Sequence, residues 1–368
     1  MASAVKSTVT TPFPYVVGRM MSLKSADGEN ISVTITNIYP VTGEYPVTPS
    51  TVMEVQIRKE KGFQKAILKL FDRRFGYWRE REQRISASEC PHTQQTEAAW
   101  QDYVRRGSAE VLFDCFSRID EDEGAGKFRR LYNNDEKTEG ERLAEREGSI
   151  CYSNQITHAH EVQVYRELQA LQGRCIPRFM ASVTLDMPST PPDLPPTYFE
   201  IRGILLQKVC GFKLEDLRSE LPNSPLAWEE IIQNAVDAAK EINRAGVIQM
   251  NAGPWNVVVA RLDEHTFQPF ILDFAHSYIK WQCDEMVGRG DWDDKYGPDP
   301  YSFNDNVQTW HNPKCIGFIM VRDVEKATGH KLRINWDISD LTSDSGWILV
   351  SNYTLAGPDR NGRYIAMT

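Results

Sequence analysis

The chain has 368 residues, 41% hydrophobic and 25% charged, which is ordinary globular composition with ample length for a sizeable core. Its 42 Lys and Arg against 51 Asp and Glu leave a formal charge of −9 with no outstanding basic stretch, which argues against nucleic acid as a main partner. No apolar run nears the ~18 residues of a membrane span, so no membrane partner is expected, and MASAVKSTVTTPFP lacks the charged-then-apolar pattern of an export signal.

In chain order, residues 1–14 read as a loose tail. From Tyr15 to Asp72 the pattern is strand-rich: ISVTITNIYPV and VMEVQI alternate β-branched and polar residues. GEYPVTPST between them is a loop signal, and KGFQKAILKLF turns at Lys61-Gly62 into a third apolar strand. An antiparallel meander of three strands is expected. Residues 76–150 read as a large, partly flexible surface insertion, mostly charge and turn formers. One helix in it carries Trp100, Tyr103, Val104, Val111, Leu112, Cys115 and Phe116 near helical spacing. A further helix is expected from about Ala159 to Leu171, with Val164, Tyr165, Leu168 and Leu171 on one apolar face and Gly173 as its stop. PSTPPDLPP reads as an exposed loop and FEIRGILLQKV as a strand. Ile231, Ile232, Ala235, Val236, Ala239 and Ile242 fit a buried helix that ends at Gly246. No internal repeat is visible. Seven cysteines, odd in number and without a CxxC pair, argue against a disulfide framework or zinc site and for a reducing compartment, cytoplasmic or nuclear.

Four pieces carry chemistry, in one order. AILK puts Lys69 on a strand, and HAHEVQVYRELQALQG puts Glu161 near a helix start. NAGPWNVVV puts Asn251 and Asn256 on a loop entering a strand, and ILDFA puts Asp273 where a strand ends. Singly, each has a plainer reading. Lys69 would be an exposed strand Lys, Glu161 a first-turn acid favoured by the helix dipole, and Asp273 a strand-end cap. Glu167 competes with Glu161.

Taken together, the pieces resemble the protein kinase superfamily, most of all its divergent fungal-type members, with LKLFDRRF after the third strand and ELQALQGRCIPRF after the helix. The resemblance covers roughly Val33–His276. It implies an α+β, bilobal fold: a sheet lobe with one main helix over 15–206, interrupted by the 76–150 insertion, and a mostly helical, shortened lobe over 207–368. It further implies ATP and Mg²⁺ in the cleft between the lobes. Lys69 would pair with the α/β-phosphates and be held by Glu161; Asn256 and Asp273 would hold the metal. Adenine would lie against the hinge LLQKVCG, at Leu206, Gln207 and Val209.

Four departures bear on activity. The family's His-Arg-Asp is Gln249-Met250-Asn251, and an Asn amide cannot accept the substrate proton. Gly253 stands where a Lys often sits near the γ-phosphate, no glycine-rich lid lies between the first two strands, and no Ala-Pro-Glu follows ILDFA. A positioned general base is worth roughly 10²–10⁴-fold, about 3–5 kcal/mol. The resulting expectation is a pseudokinase-like nucleotide binder with weak or absent transfer, and the 76–150 insertion as a protein-partner surface. The rivals are an active atypical protein kinase and a small-molecule phosphotransferase of the aminoglycoside or choline type. His158 and His160 in HAH do not share a helix face as a metal pair would. The acidic tract GDWDDKYGPD reads as a solvated loop, Trp255 as a packing residue, and the RGD triplet at 289–291 as chance.

Overall fold

Alternation of side chains builds the first layer. β1 (Met20–Ser25), β2 (Asn30–Tyr39), β3 (Thr51–Lys59) and β4 (Gly62–Phe71) form an antiparallel run, joined by β5 (Phe179–Leu185) and β6 (Ile201–Gln207). The strand order is β1-β2-β3-β4-β6-β5, and β1 pairs with β5 to close a six-stranded barrel. Its interior is filled by Leu23, Val33, Ile35, Met53, Val55, Ala66, Leu68, Leu70 and their neighbours, as the small radius of six strands requires. The expected antiparallel meander of three strands is thus four consecutive strands in a closed sheet. MMSLKS escapes a sequence reading because only Met21, Leu23 and Ser25 turn inward and none is β-branched.

This computed structural model describes residues 10–39, 50–59, 62–75, 91–117, 137–185, 191–288 and 302–341, with two short paired strands at 354–355 and 366–367. The expected tail up to residue 9, most of GEYPVTPST, residues 76–90 and 118–136, and the tract at 290–299 with the RGD triplet lie outside the described residues. The chain divides into two compact units: Met1–Gln163 with Arg178–Lys208, and Val164–Pro177 with Val209–Thr368.

The described part of the expected insertion has a core of its own. It contains α1 (Gln94–Arg105), α2 (Ser108–Ser117) and the start of α3 (Glu139–Glu167). Thr93 caps α1 reciprocally with Thr96, and Gly107, at φ 76°, makes the turn that splits the single expected helix in two. Trp100, Leu112, Ala144, Phe199 and Leu194 pack together, so the part of PSTPPDLPP within the described residues, 191–196, delivers one buried side chain instead of running exposed; residues 188–190 lie outside them. Gly148 permits this close approach: a Cβ there would lie 2.6 Å from Leu112 Cδ2 and 2.9 Å from the Trp100 ring. α3 begins well upstream of the expected Ala159. Its early turns bury acids, which apolar periodicity cannot register. Glu147, 0% exposed, accepts from Arg73 at 2.7 Å, and Arg73 also pairs with Glu97 of α1. The Asp72-Arg73-Arg74 run after β4 thereby ties the barrel to α1 and α3, while Arg74 pairs with Asp72, which also accepts from Tyr15.

The second unit is mixed α and β. β7 (Gly211–Lys213), β9 (Val257–Arg261) and β10 (Phe267–Ile271) form one antiparallel sheet, and β8 (Val247–Gln249) pairs with β11 (Ser277–Ile279). The helices are α4 (Leu217–Glu220), α5 (Pro225–Arg244), α6 (Lys280–Gly288), α7 (Phe303–Trp310) and α8 (Asn312–Thr328). All six residues expected on the inner face of α5 are buried. Val164 and Tyr165, from the end of α3, and Leu168 just after it belong to this unit, where Tyr165 meets Phe274 edge-on at 5.6 Å. Trp255 is 40% exposed rather than packed away. The six cysteines among the described residues are free thiols. No helix among the described residues is long and apolar enough to cross a membrane.

Candidate functional site

In the first unit the site starts from β4. Ala66, Leu68 and Leu70 point into the barrel, so the period of two sends Ile67 and Lys69 to its outer face. Pairing places Ile204 opposite Lys69 and Leu206 opposite Ile67, so these four side chains share that face. Lys69 is only 5% exposed there. Its Nζ donates to both carboxylate oxygens of Glu161, at 2.7 and 2.9 Å, and Glu161 is 0% exposed. The choice between Glu161 and Glu167 is decided by helix phase: Glu167 is exposed and belongs to the other unit.

Such a pair is a poor device for stability. Each ion loses several kcal/mol of hydration on burial, and well-packed apolar side chains of similar volume usually serve as well or better. The Lys69 ammonium is thereby held in one place by both oxygens of a single buried carboxylate. Beside it on the outer face is a group that sequence reasoning missed. Glu54 sits at 3.0 Å from Lys65 and 3.3 Å from Lys208, and Tyr39 also pairs with Lys208. The hydrogen bond from Lys65, then the charge of Lys208, hold the Glu54 carboxyl below its ordinary range despite burial. Of the expected hinge, Leu206 is buried. Gln207 exchanges two hydrogen bonds with the Arg178 backbone, at 2.9 and 3.1 Å, and Val209 begins the second unit.

In the second unit the loop after β8 brings Asn251 and Asn256 together: Asn256 Nδ2 donates to Asn251 O at 2.9 Å. The Leu272 N–H donates to Asn256 O at 2.8 Å, which fixes this loop beside the end of β10. Asp273 follows, half-buried, at φ 66°. A non-glycine residue in the left-handed region costs free energy, and such residues cluster at functional sites. Gln249, 2% exposed, supports this conformation. Its Nε2 donates to Leu272 O and to Asp273 O, 2.7 Å each. Asn312 in turn clamps the Gln249 backbone, donating to its O at 2.6 Å and accepting from its N at 2.9 Å, and Asn243 donates to Asn312 at 3.1 Å. Three buried amides thus position the Asp273 backbone. Sequence reading saw Gln249 only as a departure from a family triplet. Nothing in the chain signals that Asn243 and Asn312, far apart in sequence, support it.

Among the described residues no cluster of three or more His, Cys, Asp or Glu is placed to hold a metal ion. No protein-family model matches this chain, and no characterised protein is found as a relative.

Proposed function

We propose that this protein is a kinase-like module that binds a Mg²⁺–nucleoside triphosphate and transfers its terminal phosphoryl group slowly or not at all. The observation that carries the reading is the buried, two-oxygen pairing of Lys69 with Glu161, an arrangement that costs hydration and gains its purpose from an anion such as a triphosphate. On this reading the first unit serves as the sheet lobe of a bilobal kinase-like fold and the second as its larger lobe. Lys69 would bind the α/β-phosphates, and Leu206, Gln207 and Val209 would border the adenine.

Asn256 and Asp273 fit a magnesium ion that arrives with its nucleotide. Mg²⁺ wants hard oxygen ligands, takes few from protein, and keeps waters and phosphate oxygens for the rest. The bond from Asn256 Nδ2 to Asn251 O orients that amide through its nitrogen, so its oxygen is the atom available as a ligand. The left-handed backbone of Asp273, held by Gln249, supports a carboxylate presented at a fixed angle. When bound, the metal neutralises phosphate charge. Asn251 can orient a hydroxyl but has no basic oxygen to take its proton.

Thermal denaturation with ATP, with and without Mg²⁺, tests binding: a ligand of the native state alone must raise the midpoint. A midpoint unmoved by millimolar ATP defeats the reading. Asn251→Asp restores a base and is expected to raise phosphoryl transfer by as much as ~10²–10⁴-fold. Turnover of order 1–100 s⁻¹ by the unaltered chain would instead favour an active kinase or a small-molecule phosphotransferase.

A further inference from the structure

A second polar feature lies in the first unit, on α3, upstream of Glu161. Asn154 is 4% exposed, and neither its amide nitrogen nor its amide oxygen meets a hydrogen-bond partner. His158, four residues on, is 7% exposed. Its Nε2 lies 3.2 Å from Gly203 O and 3.2 Å from Ser182 Oγ, while its Nδ1 meets no partner. A carbonyl only accepts, so Nε2 carries the proton and Nδ1 is an acceptor. Burial holds this imidazole down to about 4, with the Arg202 charge adding to the effect, so the ring is neutral near pH 7. Residues four apart on a helix stand side by side, so both side chains share one face of α3.

Asn154 forms part of the wall of a pocket whose other walls include Phe71, Arg73, Cys151, Phe199 and Ile201. The Phe71 ring meets the His158 ring edge-on at 5.5 Å. The room inside the pocket takes about one water-sized group. Its charges are already matched: Arg73 pairs with Glu97 and Glu147, and Arg202 at the rim pairs with Glu200 at 2.8 Å. A charged guest would find opposite charge already engaged. A buried carboxamide with neither end bonded, in the wall of an open pocket, calls for a group that supplies both a donor and an acceptor.

We propose that Asn154 and His158 form a ligand subsite for the tip of an uncharged group that both donates and accepts a hydrogen bond, a carboxamide or a hydroxyl. Asn154 offers one donor and one acceptor, and His158 Nδ1 accepts a further hydrogen. Phe71, Phe199 and Ile201 receive the apolar part of the guest.

The test is a titration of the full chain, followed by NMR at the Asn154 side-chain amide and at His158 Nδ1. The probes are formamide and methanol, with formate and methylammonium as charged comparators. Formamide and methanol are expected to move both signals saturably, and the charged probes to leave them in place. Asn154→Leu, which removes the unmet amide and so keeps the fold, should abolish the response at His158. His158→Gln keeps a donor for Gly203 O but lacks Nδ1. It should weaken formamide binding by roughly 2- to 10-fold, the worth of one neutral hydrogen bond. The proposal is overturned if charged probes act as strongly, if the response survives Asn154→Leu, or if both side chains report a long-lived water that no probe displaces.

Discussion

Glu161→Gln removes one charge from a pair almost closed to solvent. Lys69 is 5% exposed and Glu161 0%, so the substitution leaves a buried ammonium facing a neutral amide instead of a carboxylate. Breaking a buried pair by removing one partner costs about 3–5 kcal/mol. Gln can still accept from Lys69 Nζ, which puts the expectation near the lower end, about 3 kcal/mol. For a unit of this size each kcal/mol moves the melting midpoint by about 2–4 °C, so the first unit should melt about 6–12 °C lower. Replacing both members, Lys69→Met with Glu161→Leu, removes the hydration penalty along with the attraction. That chain should melt within about 1 kcal/mol of the parent, or above it. The assay is calorimetry of all three chains, with and without ATP and Mg²⁺. The nucleotide-induced rise should shrink in the single variant and vanish in the double one. A single-variant drop below about 2 °C would show that the pair is not desolvated as its geometry demands. A double variant with the full nucleotide response would refute the phosphate role of Lys69.

Gln249→Leu withdraws the donor from Leu272 O and Asp273 O, which should cost about 1–3 kcal/mol and let Asp273 leave its left-handed conformation. The Mg²⁺-dependent part of the ATP-induced melting shift should be lost while the metal-free part persists. Gly148→Val forces a side chain onto Leu112 and Trp100 and should lower the urea midpoint by the equivalent of about 1–3 kcal/mol, without altering the nucleotide response. The His158 imidazole falls from an ordinary 6.5 to about 4 on folding. Its unfolded form therefore binds a proton first, and the stability present above pH 6.5 is lost as the pH falls toward 4, by about 3 kcal/mol. His158→Gln should flatten that part of the stability–pH curve, and an unchanged slope would show that His158 is not the group responsible.

How much of this was legible depended on whether a residue's neighbours were local. The alternation in ISVTITNIYPV and in KGFQKAILKLF reports β2 and β4 because period two is a local property. The inner face of α5 was readable for the same reason. The early turns of α3 were not, because Glu145 and Glu147 occupy inward positions that a charge count assigns to solvent. Only the fold brings Arg73 to Glu147 and makes those acids interior. PSTPPDLPP hid Leu194 among prolines. At the candidate site, Lys69 and Glu161 could be named from sequence, but which acid met the lysine hung on the phase of a helix whose true start was out of view. The amides of Gln249, Asn312 and Asn243 were invisible for a stricter reason. Buried carboxamides carry no periodicity and pair across long stretches of chain, so nothing local distinguishes them from surface polar residues.

The closure of the barrel rests on little. β1 meets β5 through Lys24 opposite Thr184 and Ser25 opposite Val183, helped by the Ala26 N–H donating to Ser182 O. While that seam is shut, the residues it pairs offer no free amides and carbonyls to a foreign strand. Unzipping so few bonds would bare two margins at once, one of them bearing the exposed Met20. A chain whose seam opens on heating is therefore expected to clump before it unravels completely.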